Sequence, residues 1–168
     1  MRRPTEADRE PYFAAMDASR RLHSPWLDRL ATRDRFDGLL RRVDDDGFEP
    51  MLVRRRDDGE IVGFVNISQI IRGQLQSGFL SYGVAGGHAG QGYMTEAVGL
   101  AVRRAFTDLR LHRLEANIQP GNIASIALVR RCGFELEGFS PRYLKVGGRW
   151  RDHERWAIRV DQWRAGRA

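Results

Sequence analysis

Val84-Ala85-Gly86-Gly87-His88-Ala89-Gly90-Gln91-Gly92-Tyr93-Met94-Thr95-Glu96 joins two segments of different period. Residues 78–84 ahead of it read as a strand. Behind it, Met94, Ala97, Val98, Ala101, Val102 and Ala105 recur at helical spacing. Glycines between a strand and a helix let backbone N–H groups approach a ligand, and a helix start adds roughly half a positive charge, so a phosphate fits there. A triphosphate loop would need a Gly-Lys-Ser/Thr ending, which is absent. A dinucleotide fingerprint would need G-x-G-x-x-G after the first strand; Gly90-x-Gly92 is followed at that offset by Thr95, and it comes mid-chain. A pyrophosphate cradle for coenzyme A remains, beside a plain left-handed turn with no ligand. The loop alone leaves both open.

Working outward, residues 6–19 read as a helix opened by Pro4-Thr5, and residues 32–43 as a second, with Phe36, Leu39, Leu40 and Val43 on one face. His23-Ser24-Pro25-Trp26 breaks the chain between them. Strands follow at 50–53, 61–71 and 78–84, separated by turns at 57–60 and 73–77. After the periodic helix come a strand at 113–118 and a helix at 122–131. Asn122 is its N-cap and Gly133 its closing glycine. Residues 134–146 and 150–160 form a hairpin across Gly147-Gly148. Meandering strands followed by strand–helix alternation specify an α/β (α+β) fold with a mixed sheet.

The chain has 168 residues, 42% of them hydrophobic, which suits one globular domain over 1–168. No apolar run nears the ~20 residues of a membrane helix, and the charged start lacks a secretory core, so a cytoplasmic protein is expected. Cys132, the single cysteine, excludes an internal disulfide and reads as an inert buried thiol. His23, His88, His112 and His153 are dispersed, so no metal site is expected. The formal charge of +6 is almost all arginine, Lys145 being the only lysine. Scattered basic residues without a recognised motif give no reason to expect nucleic-acid binding.

Gly90-Gln91-Gly92-Tyr93-Met94-Thr95-Glu96-Ala97 resembles the acetyl-CoA-binding segment of the GCN5-related N-acetyltransferases, the GNAT family. Residues 112–117, Pro120-Gly121-Asn122-Ile123-Ala124-Ser125 and residues 131–138 follow the same family in order and spacing. Residues 66–73 and 143–153 resemble its RimJ branch, the ribosomal-protein-alanine N-acetyltransferases. The resemblance covers nearly the whole chain. It implies a mixed sheet whose fourth and fifth strands splay apart, flanked by about four helices, with the acetyl-pantetheine arm of acetyl-CoA in the gap. Residues 81–85 would form one side and residues 115–118 the other. The cofactor would then meet Val84, Ala85, Ala89, Gly90, Gln91, Gly92, Tyr93, Met94, Thr95, Asn117, Asn122 and Ser125.

By the same resemblance the backbone N–H of Val84 faces the acetyl oxygen, and Ser125 donates to the leaving sulfur. Ser125 could equally serve only the helix start. Trp26, Tyr143 and Asp152 would meet the acceptor, with core packing the alternative for Trp26. Arg130 and Arg131 could face the adenosine phosphates or solvent. The sequence departs from the family at three points. Gly87 stands where the phosphate loop usually has Gln or Arg. Val129 occupies the position of a common tyrosine acid. The chain begins near the Thr5–Asp8 segment, where members carry a full strand before it, so a truncated first strand or a downstream start is expected.

No carboxylate occurs in residues 79–84, leaving Glu115, Asp152, His153 and Glu154 as possible bases, each with a structural alternative. An α-amine of pKa ~8 is about a tenth neutral at pH 7, whereas a lysine near ~10.4 is under a thousandth neutral. A weak base therefore suits an N-terminus. The expected function is acetylation of a protein or peptide N-terminal α-amine. Acetylation of a small amine (polyamine, antibiotic or amino acid) is the alternative, and a CoA-binding module without chemistry a second. A homodimer accords with the group's habit.

Overall fold

The computed structural model describes residues 1–28 and 30–166. The strands are β1 (Phe48–Arg54), β2 (Ile61–Ile71), β3 (Ser77–Val84), β4 (Arg113–Ile118), β5 (Glu135–Val146) and β6 (Arg149–Arg159). They form one mixed sheet in the order β1-β2-β3-β4-β6-β5. Only β3 and β4 run parallel; the other neighbours are antiparallel. The β3–β4 connection therefore has to cross over, and helix α4 (Tyr93–Thr107) provides the crossing. Helix α5 (Ile123–Arg131) links β4 to β5.

Alternation along the strands sends side chains to two cores. Val62, Val65, Ile67, Leu80 and Leu114 pack on one face against α4, whose Ala97, Ala101 and Ala105 are small enough for close approach. On the other face, Leu52, Ile61 and Phe64 meet Tyr12, Met16 and Phe36 from helices α1 (Arg9–Ala18) and α3 (Arg33–Arg41).

The predicted helix 6–19 is a 3-10 turn at Glu6–Asp8 followed by α1, and 32–43 shortens to α3 with Thr32 capping the Arg35 N–H. Among the described residues two further helices raise the expected four to six: α2 (Arg20–His23) and α6 (Val160–Ala165). Both are shorter than two turns, so neither shows a period in sequence. Tertiary packing holds α6, Trp163 lying 5.6 Å centroid to centroid from Phe106. Ahead of α1, Arg2 and Leu52 exchange backbone hydrogen bonds of 3.2 and 2.8 Å in a single bridge on the outer side of β1. Ion pairs fix this segment: Arg2 and Arg54 hold buried Asp8 at 2.6 and 2.7 Å, and Arg3 and Arg104 hold buried Glu49, both at 2.8 Å. Burial pushes Asp8 up, but hydrogen bonds from Arg2 and Thr5 outweigh it and keep the carboxyl low.

Candidate active site

β3 and β4 pair only at Ser77–Arg113, Gly78–Leu114 and Phe79–Glu115. Beyond those pairs β3 stays with β2 and β4 with β6, and a wedge opens between them. The antiparallel ladder fixes what faces the wedge. Ala85 donates to the Val62 carbonyl at 2.9 Å, so alternation turns the N–H and C=O of Val84 and of Tyr82 away from β2 and toward the gap.

The gap is the mouth of a cleft of about 370 Å³, walled by residues 80–84 of β3 and residues 116–118 of β4. Asn117 lines it, and its buried Oδ1 has no hydrogen-bond partner among the described residues. Such an acceptor is costly unless a ligand donor meets it. An amide-bearing arm laid between β3 and β4 would supply one.

At its other end the cleft reaches the glycine loop. Gly90 and Gly92 adopt φ of +76° and +87°, and a Cβ at either would meet nothing within 4 Å. Gly92 caps α4 without a side chain. The backbone N–H groups of residues 90–94 find no acceptor among the described residues. Five unpaired donors at a helix N-terminus are suited to a diphosphate. Gly87 contributes no side chain, but its carbonyl accepts Gln91 Nε2 at 2.8 Å, which braces the turn. His88 adds a second brace, edge-on to Tyr93 and 3.2 Å from Glu60.

The third wall is the start of α5. Asn122 Oδ1 accepts the Ser125 N–H at 3.2 Å, and both residues line the cleft. The Tyr82 hydroxyl donates to the Ser125 carbonyl at 3.4 Å, and burial pushes its pKa up to about 12. Val129, at the tyrosine position of many relatives, is fully buried in the core. Cys132 lies outside the lining. Its thiol donates to the Thr95 carbonyl, and burial pushes its pKa up.

Of the site residues read from sequence, Trp26, Val84, Ala89, Gly90, Gly92, Tyr93, Met94, Thr95, Asn117, Asn122 and Ser125 all line this one cleft. Ala85 is packed beneath it, and Gln91 is turned to the loop's own backbone. Asp152 does not reach the cleft. Its carboxylate accepts the Arg142 N–H at 2.7 Å, where Arg142 has φ of +45° in the irregular part of β5. Tyr143 also lies outside the lining, its ring 6.2 Å from that of His153. The two arginines separate: Arg131 lines the cleft, whereas Arg130 sits 4.9 Å above the Trp156 ring.

Sequence reading missed His23. It is buried in the cleft wall, and its Nε2 donates to the Val84 carbonyl at 2.8 Å. Burial lowers its pKa against the opposing pull of that carbonyl, which favours the neutral ring. A partner 61 residues away leaves no local signature, and the break before Trp26 was the one available hint.

This split sheet, with its free loop donors, defines the scaffold of an N-acetyltransferase. The chain matches the model of the Acetyltransferase (GNAT) domain over residues 1–135 and belongs to that family. Within it the chain falls in the RimJ-like branch. YjcK of Bacillus subtilis, described as a probable N-acetyltransferase, is 44% identical over 101 residues, 60% of this chain and 56% of that one. The ribosomal protein uS5-alanine N-acetyltransferase of Escherichia coli is 38% identical over 111 residues, 66% of this chain and 57% of that one. The chain thus spans under two thirds of the length of these curated relatives. Mycobacterium smegmatis RimJ, solved in complex with CoA-disulfide, aligns with a TM-score of 0.88 at 29% identity, covering 96% of this chain and 81% of that one. No helix among the described residues is long and apolar enough to cross a membrane.

Proposed function

We propose that this protein is an acetyl-CoA-dependent N-acetyltransferase acting on the N-terminal α-amine of a protein or peptide. The observation that carries the reading is the wedge between β3 and β4 running into the unpaired N–H groups of residues 90–94. Acetyl-CoA, when bound, supplies a thioester acyl group. The loop donors would hold its diphosphate, and Asn117 Oδ1 would accept from an amide of its arm. The Val84 N–H, aimed into the gap, would stabilise negative charge developing on the acyl oxygen; one such donor contributes ~10²–10³ in rate. Ser125 would donate toward the departing sulfur from the first turn of α5.

The acceptor class rests on charge. No aspartate or glutamate among the described residues lines the cleft. A polyamine would enter with several cations and find no carboxylate to meet them. An α-amine has a pKa of ~8, so it supplies its own neutral fraction. The uS5-alanine specificity of the E. coli relative agrees with this chemistry.

Thiol release from acetyl-CoA tests it. The amines are peptides beginning with alanine or serine, a lysine peptide with a blocked N-terminus, and small amines. Turnover of the free-N-terminus peptides is expected. Turnover confined to small amines would replace the acceptor assignment, and CoA binding without turnover of any amine would refute the enzyme.

A further inference from the structure

Four groups were candidates to take the proton that the amine must lose, and the structure separates them. Glu115 is 2.9 Å from the Arg113 guanidinium. Asp152 is taken up by the Arg142 N–H and Glu154 by the Trp156 indole, at 2.7 and 2.9 Å. None of the three lines the cleft. His153 does, and only 3% of its surface is exposed.

The ring's orientation is fixed. His153 Nδ1 lies 2.9 Å from the Arg151 carbonyl. A carbonyl only accepts, so Nδ1 carries the proton and Nε2 carries the lone pair. Nε2 has no partner among the described residues. It is not one of the fully enclosed orphan atoms, which include His23 Nδ1 and Asn117 Oδ1, and the residue lines the cleft. The Tyr143 ring meets that of His153 edge-on, 6.2 Å between centroids. His153 sits on β6 just past the end of β4, where Ile118 pairs with Glu154, and it lines the same cleft as Val84.

On the acetyltransferase reading above, we infer that His153 Nε2 is the general base that accepts the proton of the attacking amine. Nitrogen bonds to the acyl carbon, the carbon–sulfur bond breaks, and its electron pair leaves with sulfur. One proton passes from nitrogen to Nε2, the Ser125 hydroxyl gives its proton to the departing sulfur, and the imidazolium's proton returns through water to the Ser125 oxygen, so amine and thioester become amide and thiol and both side chains are restored. Burial lowers the ring's pKa; the Arg151 carbonyl and the charge of neighbouring Asp152 act the other way. At neutral pH the base is therefore free.

The same assignment separates His153 from His23. Both rings are neutral and line one cleft, but His23 spends its Nε2 proton on Val84 and its Nδ1 is enclosed. His23 positions the end of β3; His153 meets the amine.

His153→Asn keeps a donor for the Arg151 carbonyl and deletes the base. With an alanine-initiated peptide it should lower kcat about 10²-fold, the low end for general base catalysis, with KM for acetyl-CoA unchanged. The acid limb of the kcat pH profile should lose the ring's ionisation and keep only the amine's own. Unaltered kcat and acid limb in a variant that melts like wild type would overturn the base while leaving the acetyltransferase reading intact. Wild type that turns over no amine would sink that reading instead, and the base with it. Nitrogen NMR of wild type with CoA and the peptide decides the case even if the variant does not fold. The neutral Nδ1–H form at pH 7, with an Nε2 resonance that moves on adding peptide, is expected; a protonated or unresponsive ring overturns the assignment.

Discussion

Gly63 on β2 stands opposite Val84, and the space beside it is full. A Cβ there would lie 2.5 Å from the Gly83 carbonyl oxygen, 3.0 Å from Met94 Sδ and 3.3 Å from Val84 Cα. The methionine can swing aside. The carbonyl cannot, because Gly83 pairs with Phe64 in the ladder. To reach an ordinary 3.4 Å contact it must retreat by about 0.9 Å, carrying the end of β3 with it. Overpacking of this kind costs ~1–3 kcal/mol, which for a chain of this size lowers the melting temperature by roughly 2–12 °C. A catalytic donor displaced by ~1 Å costs ~10² in rate. Gly63→Ala should therefore lower both melting temperature and thiol release. Gly99→Ala, on the exposed side of α4 with nothing within 4 Å, should be neutral or stabilise by up to ~1 kcal/mol. Differential scanning fluorimetry and steady-state kinetics on the two variants suffice. A Gly63→Ala protein that loses stability yet keeps wild-type kcat would show that the position of Val84 does not set the rate.

Ser125→Ala leaves the Asn122–Ser125 backbone cap intact, so it should melt like wild type while kcat falls on the order of 10²-fold; equal kcat would reduce Ser125 to helix-start chemistry. Gly92→Ala forces a side chain into φ of +87° at a strain of ~1–2 kcal/mol, and calorimetry should find CoA binding roughly 5–30-fold weaker if the loop moves to relieve it. Acid should weaken the fold through His23. Its folded pKa lies below 6.5, so the unfolded chain binds the extra proton first; the stabilisation is present above 6.5 and is lost as pH falls through the lowered value. Urea midpoints at pH 7 and pH 5 should differ less in His23→Gln than in wild type.

The backbone-level part of the site was legible because it is local. A glycine turn between a strand and a periodic helix has one geometry, and Asn122 three residues before Ser125 is helix-start chemistry whatever the fold. Gly90, Gly92, Asn122 and Ser125 line the cleft. The side-chain part was less legible because it depends on partners far along the chain. His23 reads as a punctuation residue until β3 ends beside it. Asp152 and His153 are adjacent, and only the alternation of β6 and the irregular pairing near Arg142 turn one to the backbone and the other to the cleft. The short helices escaped for the same reason: neither α2 nor α6 is long enough to carry a pattern, and packing such as Trp163 on Phe106 holds them.

Three residue pairs join the two halves of the sheet, and all lie at one end. A joint so placed would act as the pivot of a pair of shears. From Phe79 to Val84 the β3 blade runs about 17 Å, so a rotation of roughly 3° at the pivot moves its tip by about 0.9 Å. At the pivot sits Gly78, where a Cβ would press on Ile67 Cγ2 at 2.9 Å and on Leu111 Cδ1 at 3.4 Å. Bulk added at Gly78 would thus reach the jaw through hydrophobic side chains at the far end of β3, none of which lines the cleft.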